Sequence, residues 1–452
     1  MKKNKILFIS ANQHTIPYPV YPIGLSYIAT YLKEKVTNYE FQLVDLNLKS
    51  VADVKDIIKV YEPKYIGISF RNVDDVNSYN REFFINHYKN LVDNIRQATD
   101  AKIVVGGSGF SIFPELMFKR LNPDFGVYGE GEETMYKLIT ALDNNEDYSN
   151  INRLIYKQND QVIFNKKESY FSDLSLNFDE NIIDFYWQKS GMLNIQTKRG
   201  CPYNCIYCTY PVIEGKKVRT LNTDKIVETL KKLYYQKGID YVFFTDSVFN
   251  IKNEYNYELA DKIIHSGIKI KWGGYFTFTN FDEDLLVLLK KSGLSHIEFG
   301  TESISETSLK NYGKNFTVND ILEKSALCNK LEIDFAHFLI LGGYGETDET
   351  INETFENSKR IDRSVFFPFV GMRIYPGTKL HEYAIAEGKL DINDDLIEPK
   401  YYISDKVNYD NLKERAKNTG KRWVFPDEDT STIINRLRLR NKKGPLWEYL
   451  IM

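Results

Sequence analysis

Cysteine is scarce in this chain: four residues in 452. Proline is sparse too, at 13, and neither sign of charge dominates, with Lys+Arg 59, Asp+Glu 62 and a formal net charge of −3. Three of the cysteines fall within eight residues, so they are not the framework of a disulfide-stapled secreted domain, which spaces its pairs through a short chain. The near-neutral balance gives a nucleic-acid substrate no support. No apolar run approaches the ~18 to 20 residues that a transmembrane segment needs. The run Ile6 to Ala11 is too short for a signal-peptide core. These absences point to a cytoplasmic, reducing compartment with free thiols.

What is present is ordinary globular composition, 42% hydrophobic and 27% charged. At ~150 residues per domain the length suits two or three domains. Over residues 1–145 short apolar runs (Lys5–Ser10, Phe41–Leu46, Lys64–Phe70, Ala101–Gly107, Phe125–Gly129) alternate with helical patterns, among them Pro22–Lys35, Val51–Tyr61, Glu82–Gln97 and Glu132–Leu142. Such alternation predicts an α/β domain with a doubly wound parallel sheet, whose ligands bind beyond the carboxyl ends of its strands. The rhythm breaks over 146–190, which reads as a linker holding a small hairpin at Leu154–Phe164.

A second alternation occupies 191–380. Its strands are Leu193–Thr197, Tyr241–Thr245, Ile270–Phe278, His296–Gly300, Asp334–Gly342 and Val365–Ile374, with helices between them. Six units at this spacing predict a (β/α)6 partial barrel with its active site at the carboxyl ends of the strands. Residues 381–452 read as a charged helical extension that closes on an apolar stretch.

The chemistry concentrates in Leu193–Pro211, where Cys201, Cys205 and Cys208 follow a C-x3-C-x2-C pattern. Thiolates closing in one loop can hold three corners of a metal centre, and iron–sulfur clusters are held by thiolate, normally four. Three protein ligands leave one iron free. Gly200 and Pro202 suit a tight turn out of a strand, and the cations Lys198 and Arg199 favour thiolate. Structural zinc would want four tetrahedral ligands, and no fourth is in view nearby.

This motif resembles that of the radical SAM superfamily, in which three cysteines hold a 4Fe–4S cluster and S-adenosylmethionine (SAM) chelates the fourth iron. The resemblance implies reductive cleavage of SAM to a 5′-deoxyadenosyl radical. Tyr207 matches the aromatic that packs near adenine. The second-strand end YVFFTDSVFN resembles the segment near the SAM amino group, with Asp246 and Ser247 as candidates. HIEFGTES resembles the fourth-strand motif, with Glu302 and Ser303. FLILGGYGET resembles the fifth-strand glycine motif, with Gly342 and Gly343, and RIYPGTKL the sixth, with Tyr375.

The first domain resembles the cobalamin-binding domain of cobalamin-dependent radical SAM enzymes. By that resemblance, cobalamin contacts fall on Pro22 and Gly24, on Arg71 and Asn72, on Gly106, Gly107, Gly109 and Phe110, and on Gly129, Glu130 and Gly131. A histidine ligand to cobalt would need D-x-H-x-x-G. Here the stretch is Asn12-Gln13-His14-Thr15-Ile16-Pro17, with the histidine but neither the Asp nor the Gly, and most radical SAM members of this type lack that ligand.

The resemblance implies methylation of an unactivated carbon on a small-molecule, lipid or natural-product substrate, with an electron donor such as flavodoxin or ferredoxin. The alternative is a non-methylating cyclisation or rearrangement, with or without cobalamin. A tRNA methylthiolase would need three further cysteines in its N-terminal domain, and residues 1–200 have none. A corrinoid sensor is disfavoured by the intact cysteine set. Cys328, inside a helical stretch, reads as a packed thiol.

Overall fold

The computed structural model describes residues 3–79, 81–166 and 174–451. The chain forms two compact units: Met1–Asp75, Glu82–Tyr186 and Val212–Glu214 make the first, and the remainder makes the second.

The first unit is built on a seven-stranded sheet. Its parallel part runs, in spatial order, Tyr39–Asp45, Asn4–Ser10, Tyr65–Ser69, Lys102–Gly106 and Phe125–Val127. The chain turns to one side after Asn4–Ser10 and to the other from Tyr65–Ser69, which puts the topological switch point between these two strands. Both are nearly wholly buried, as a sheet covered on two faces requires. Helices Ile23–Lys35 and Glu132–Asn144 pack together, and Val51–Tyr61 packs on Ile85–Ala98. Ser50 and Asp53 form a capping box that starts the third of these helices.

Two departures from the sequence reading are informative. Leu154–Gln158 and Gln161–Phe164, within the stretch read as a linker, extend the first sheet antiparallel at its edge. The helix expected from Glu82 begins at Ile85, because Phe83 instead bridges Asp74 in antiparallel fashion.

The second unit carries six parallel strands in sequential order: Leu193–Ile195, Tyr241–Phe244, Lys271–Phe276, Leu294–Glu302, Asp334–Leu341 and Ser364–Val370. These are the six units of the expected partial barrel. A seventh strand, Arg422–Trp423, joins parallel to the sixth. It comes from the tail read as helical, as does Tyr401–Tyr402, which pairs with Met372–Arg373. Register lines Phe299, His337, Phe366 and Trp423 up across four strands. Their rings stack at centroid separations of 5.7, 5.2 and 4.7 Å. Such cross-strand aromatic pairs stabilise a sheet by packing rather than by backbone bonds alone. Among the described residues, no helix is long and apolar enough to cross a membrane.

Candidate active site

The cysteine loop leaves the first barrel strand and is anchored at its root by one carboxylate. Asp246, fully buried, accepts from the backbone N–H of Thr197 at 2.6 Å and of Lys198 at 3.0 Å, and from the Thr197 hydroxyl. The buried Lys198 ammonium lies 3.1 Å from the same carboxylate, donates to Asn256 Oδ1 at 2.9 Å and sits over the Phe249 ring. Burial pulls this ammonium below its ordinary value, with Asp246 opposing. Asp246, expected at the SAM amino group, is thus engaged in holding the loop.

Gly200 turns the chain with φ +91°, and a Cβ there would fall 2.3 Å from the Lys217 carbonyl oxygen, so only glycine fits. Ser247 donates to the Gly200 carbonyl at 3.2 Å. Further on, the Cys201 N–H donates to Gly215, the Ile206 N–H to Tyr312, and the Leu380 N–H to the Ile206 carbonyl. The loop is therefore tied to three distant segments before any ligand enters.

Cys201 is buried and Cys205 and Cys208 are partly so; none is in a disulfide. Burial raises the Cys201 thiol and pushes Cys208 up to about 12, and the neighbouring thiols add to both effects. Among the described residues, no group of three His, Cys, Asp or Glu side chains is placed to hold a single metal ion. Thiolates round one zinc at ~2.3 Å would crowd together, whereas a cube takes each thiolate on its own iron. Three free thiols on one loop are the donor set that an iron–sulfur cluster takes.

Beside the thiols lies a second ion pair, largely out of water. Glu302 ends the fourth strand where the register slips after Gly300, and its backbone is left-handed at φ +62°. Its carboxylate accepts from the Tyr207 hydroxyl at 2.6 Å and from Lys314 at 3.2 Å. Lys314 Nζ is also 3.4 Å from the Tyr207 oxygen and 3.9 Å from Cys205 Sγ. Burial works against this ammonium, but Glu302 and the Cys205 and Cys208 sulfurs outweigh it and hold it above its ordinary value. Sequence reasoning missed Lys314. The available signal was Gly313: a Cβ there would fall 2.7 Å from the Asn204 carbonyl oxygen, so that glycine lets Tyr312–Lys314 run against the cysteine loop.

The other expected SAM contacts are placed as follows. Ser303 is fully buried and its hydroxyl pairs with Thr354 at 3.0 Å. The Gly342 and Gly343 N–H groups donate to the buried Glu346 at 2.5 and 3.2 Å, and Tyr409 and Tyr312 pack over the two glycines. Burial raises Glu346 to about 7. Glu346 belongs to the GGYGET motif but was not singled out, and Tyr409 comes from the tail. Tyr375 carries the Arg373 guanidinium 4.8 Å from its ring centroid.

In the first unit the expected cobalamin residues gather at the carboxyl ends of neighbouring strands. Pro22 caps helix Ile23–Lys35, and a Cβ on Gly24 would meet no atom within 4 Å. The loops after the third and fourth strands interlock: Ser108 donates to the Arg71 carbonyl at 2.8 Å, Tyr88 to that of Asn72 at 2.6 Å, and Gly109 N–H to that of Phe70. Gly106 lies close against Val127, and Gly107 against Phe70. The Gly129 N–H donates to Ser111, Gly131 packs on Ile28, and Glu130 between them is partly buried. Phe110 is fully buried over Gly126, a core position. At Gly106, Gly107, Gly109, Gly129 and Gly131 a Cβ would meet the unit's own atoms, so these glycines let the strand-end loops pack together, and Gly24 alone of the set faces open space, as a site for a bulky corrin needs. His14 faces Glu82, Nδ1 to Oε2 at 3.5 Å, and its ring lies near Phe84. Cys328 is buried in helix Val318–Lys330, a packed thiol.

Residues 195–357 match the Radical SAM superfamily, and residues 9–139 match the B12 binding domain. An uncharacterized methyltransferase of Pyrococcus horikoshii is 27% identical over 433 residues, 90% of this chain and 91% of that protein. The tryptophan 2-C-methyltransferase of Streptomyces laurentii is 22% identical over 83% of this chain and 74% of its own. The fold is that of TsrM, a radical S-adenosylmethionine methyltransferase from Kitasatospora setae solved with cobalamin and a 4Fe–4S cluster: TM-score 0.87, 19% identity, 99% of this chain and 97% of that one.

Proposed function

We propose that this chain, which belongs to the cobalamin-dependent radical SAM enzymes, is a methyltransferase acting on a small-molecule substrate. One observation carries the reading. Three thiols on one pinned loop lie beside a largely buried carboxylate–ammonium pair, in a chain alignable along nine-tenths of its length with an uncharacterized methyltransferase.

Cys201, Cys205 and Cys208 would hold three irons of a 4Fe–4S cluster, and Asp246 with Gly200 would keep the loop in the shape that presents them. Glu302 would orient the methionine end of SAM, since its carboxylate complements an ammonium. The strand-end loops that carry Gly24, Gly106, Gly107, Gly109, Gly129 and Gly131 would border the corrin site, with Arg71 and Asn72 at its rim. His14 is turned to Glu82, which supports binding of cobalamin without that imidazole on cobalt. When bound, the cluster would supply an electron to SAM and cobalamin would carry the methyl group.

The test is anaerobic reconstitution of the full chain with iron, sulfide and hydroxocobalamin, followed by chemical reduction with dithionite in the presence of SAM. The expected result is about four irons, one corrin per chain and SAM-derived methyl on cobalamin. Iron and SAM cleavage without corrin uptake would leave a radical SAM enzyme that is not a cobalamin methylase. Corrin uptake without iron would overturn the enzyme reading.

A further inference from the structure

Lys314 stands outside both strand ends and loop motifs, yet its ammonium is the meeting point of three groups. The side chain is 8% exposed, against 13% for Glu302. It reaches Glu302 Oε1 at 3.2 Å, Tyr207 Oη at 3.4 Å and Cys205 Sγ at 3.9 Å. The rings of Tyr207 and Phe316 flank it at 5.9 and 5.5 Å from their centroids. Its position is set by backbone close approach, since Tyr312 accepts from the Ile206 N–H and Gly313 abuts Asn204. A long flexible side chain is thus delivered to the cysteine loop by rigid neighbours on both sides.

We propose that Lys314 is a positioning residue that sets the reduction potential of the cluster by placing a buried positive charge against the Cys205 thiolate, with Glu302 as the counter-charge that moderates it. The proposal rests on the cysteines holding a cluster, as above. The physics is simple. A reduced cluster carries one more electron than an oxidised one, so a cation at a ligating sulfur favours the reduced form and raises the potential. Coulomb interactions in a dry site are several-fold stronger than at a wet surface, and both partners here are largely out of water. Glu302 partly cancels the cation. The two charges therefore act on the cluster with opposite sign, and that sign is what a merely structural role would not reproduce.

The experiment is a redox titration of the anaerobically reconstituted full chain, without SAM, read by electron paramagnetic resonance of the reduced cluster. Iron content and thermal unfolding are recorded for each variant. In Lys314→Met the reduced-to-oxidised ratio at fixed potential should fall at least tenfold, which is about 59 mV for one electron. Lys314→Arg, which keeps the charge, should restore most of it. Glu302→Gln should shift the ratio the other way. Reduced-to-oxidised ratios in Lys314→Met and Glu302→Gln both within threefold of wild type would overturn the proposal. If Lys314→Met takes up no iron, Glu302→Gln decides: a rise supports the proposal and an unchanged ratio overturns it. A wild-type chain that binds no cluster at all would instead overturn the iron–sulfur reading itself.

Discussion

The two ends of the barrel bury their basic side chains differently. At the carboxyl end each buried ammonium meets a carboxylate: Lys198 with Asp246 at 3.1 Å, Lys314 with Glu302 at 3.2 Å. At the amino end the central residues meet neutral partners instead. The Tyr241 hydroxyl hydrogen-bonds His296 Nδ1 at 2.6 Å, and Trp447 Nε1 donates to Glu298 at 3.0 Å. Burial lowers His296 to about 3 and raises Glu298 and Glu448 to about 7. The two ammonium groups keep their charge by pairing, whereas the buried acids without a cation, Glu298 and Glu448 here and Glu346 at the carboxyl end, are pushed toward the neutral form. Both satisfy the same rule, that an isolated ion in a dry interior is costly. The paired ammonium groups retain fixed charge, and they lie at the end that also carries the thiols.

The largest effect should come from the thiols themselves. Cys208→Ser should reduce bound iron below about a tenth of wild type, and SAM cleavage by more than the ~100-fold that ligand-orienting neighbours can cost. Retention of full iron would separate the thiols from the paired charges. Next, Asp246→Ala leaves Lys198 buried without its counter-charge and should cost about 3–5 kcal/mol in denaturant unfolding. A cost below ~1 kcal/mol would mean that pairing is not what keeps charge at this end.

The amino end is probed by pH. The Glu298 carboxyl is raised from 4.5 to about 7 by burial. The stability it contributes is therefore full below about pH 4.5 and lost as pH rises through about 7. His296, lowered from 6.5 to about 3, acts in the opposite direction, adding stability as pH rises from about 3. In Glu298→Gln the unfolding free energy should drop by about 2 kcal/mol less between pH 5 and 7 than in wild type. Parallel pH curves would show that Glu298 is already ionised and that the ends do not differ. The smallest effect should be that of Trp447→Phe, which removes one neutral donor and should cost roughly 1 kcal/mol at fixed pH.

Much of the fold was legible because its signals are local. The run Tyr241–Thr245 is observed as a strand at Tyr241–Phe244, and Asp334–Gly342 as Asp334–Leu341. Apolar runs separated by 3.6-periodic stretches report on neighbours a few residues away, and parallel pairing of successive units follows from chain connectivity. Arg422–Trp423 was not legible: two residues have no periodicity, and their strand exists only because Phe366 offers a partner in register. That the cysteines share one loop was legible from their spacing, and that Glu302 ends a strand from the strand pattern. Asp246 and Ser303 sit at strand ends too, yet their side chains turn to Thr197, Lys198 and Thr354. Residue type and position along a strand do not say which way a carboxylate faces.

Sequence alone determined the two parallel α/β halves and the trio of thiols on one loop, because periodicity and short spacing are properties of contiguous chain. Tertiary structure decided which charges meet. Lys314 reaches Cys205 across 109 positions, and Trp447 reaches Glu298 across 149. Such pairs form when folding removes water from both partners at once, and burial, not proximity in sequence, makes each interaction strong enough to matter.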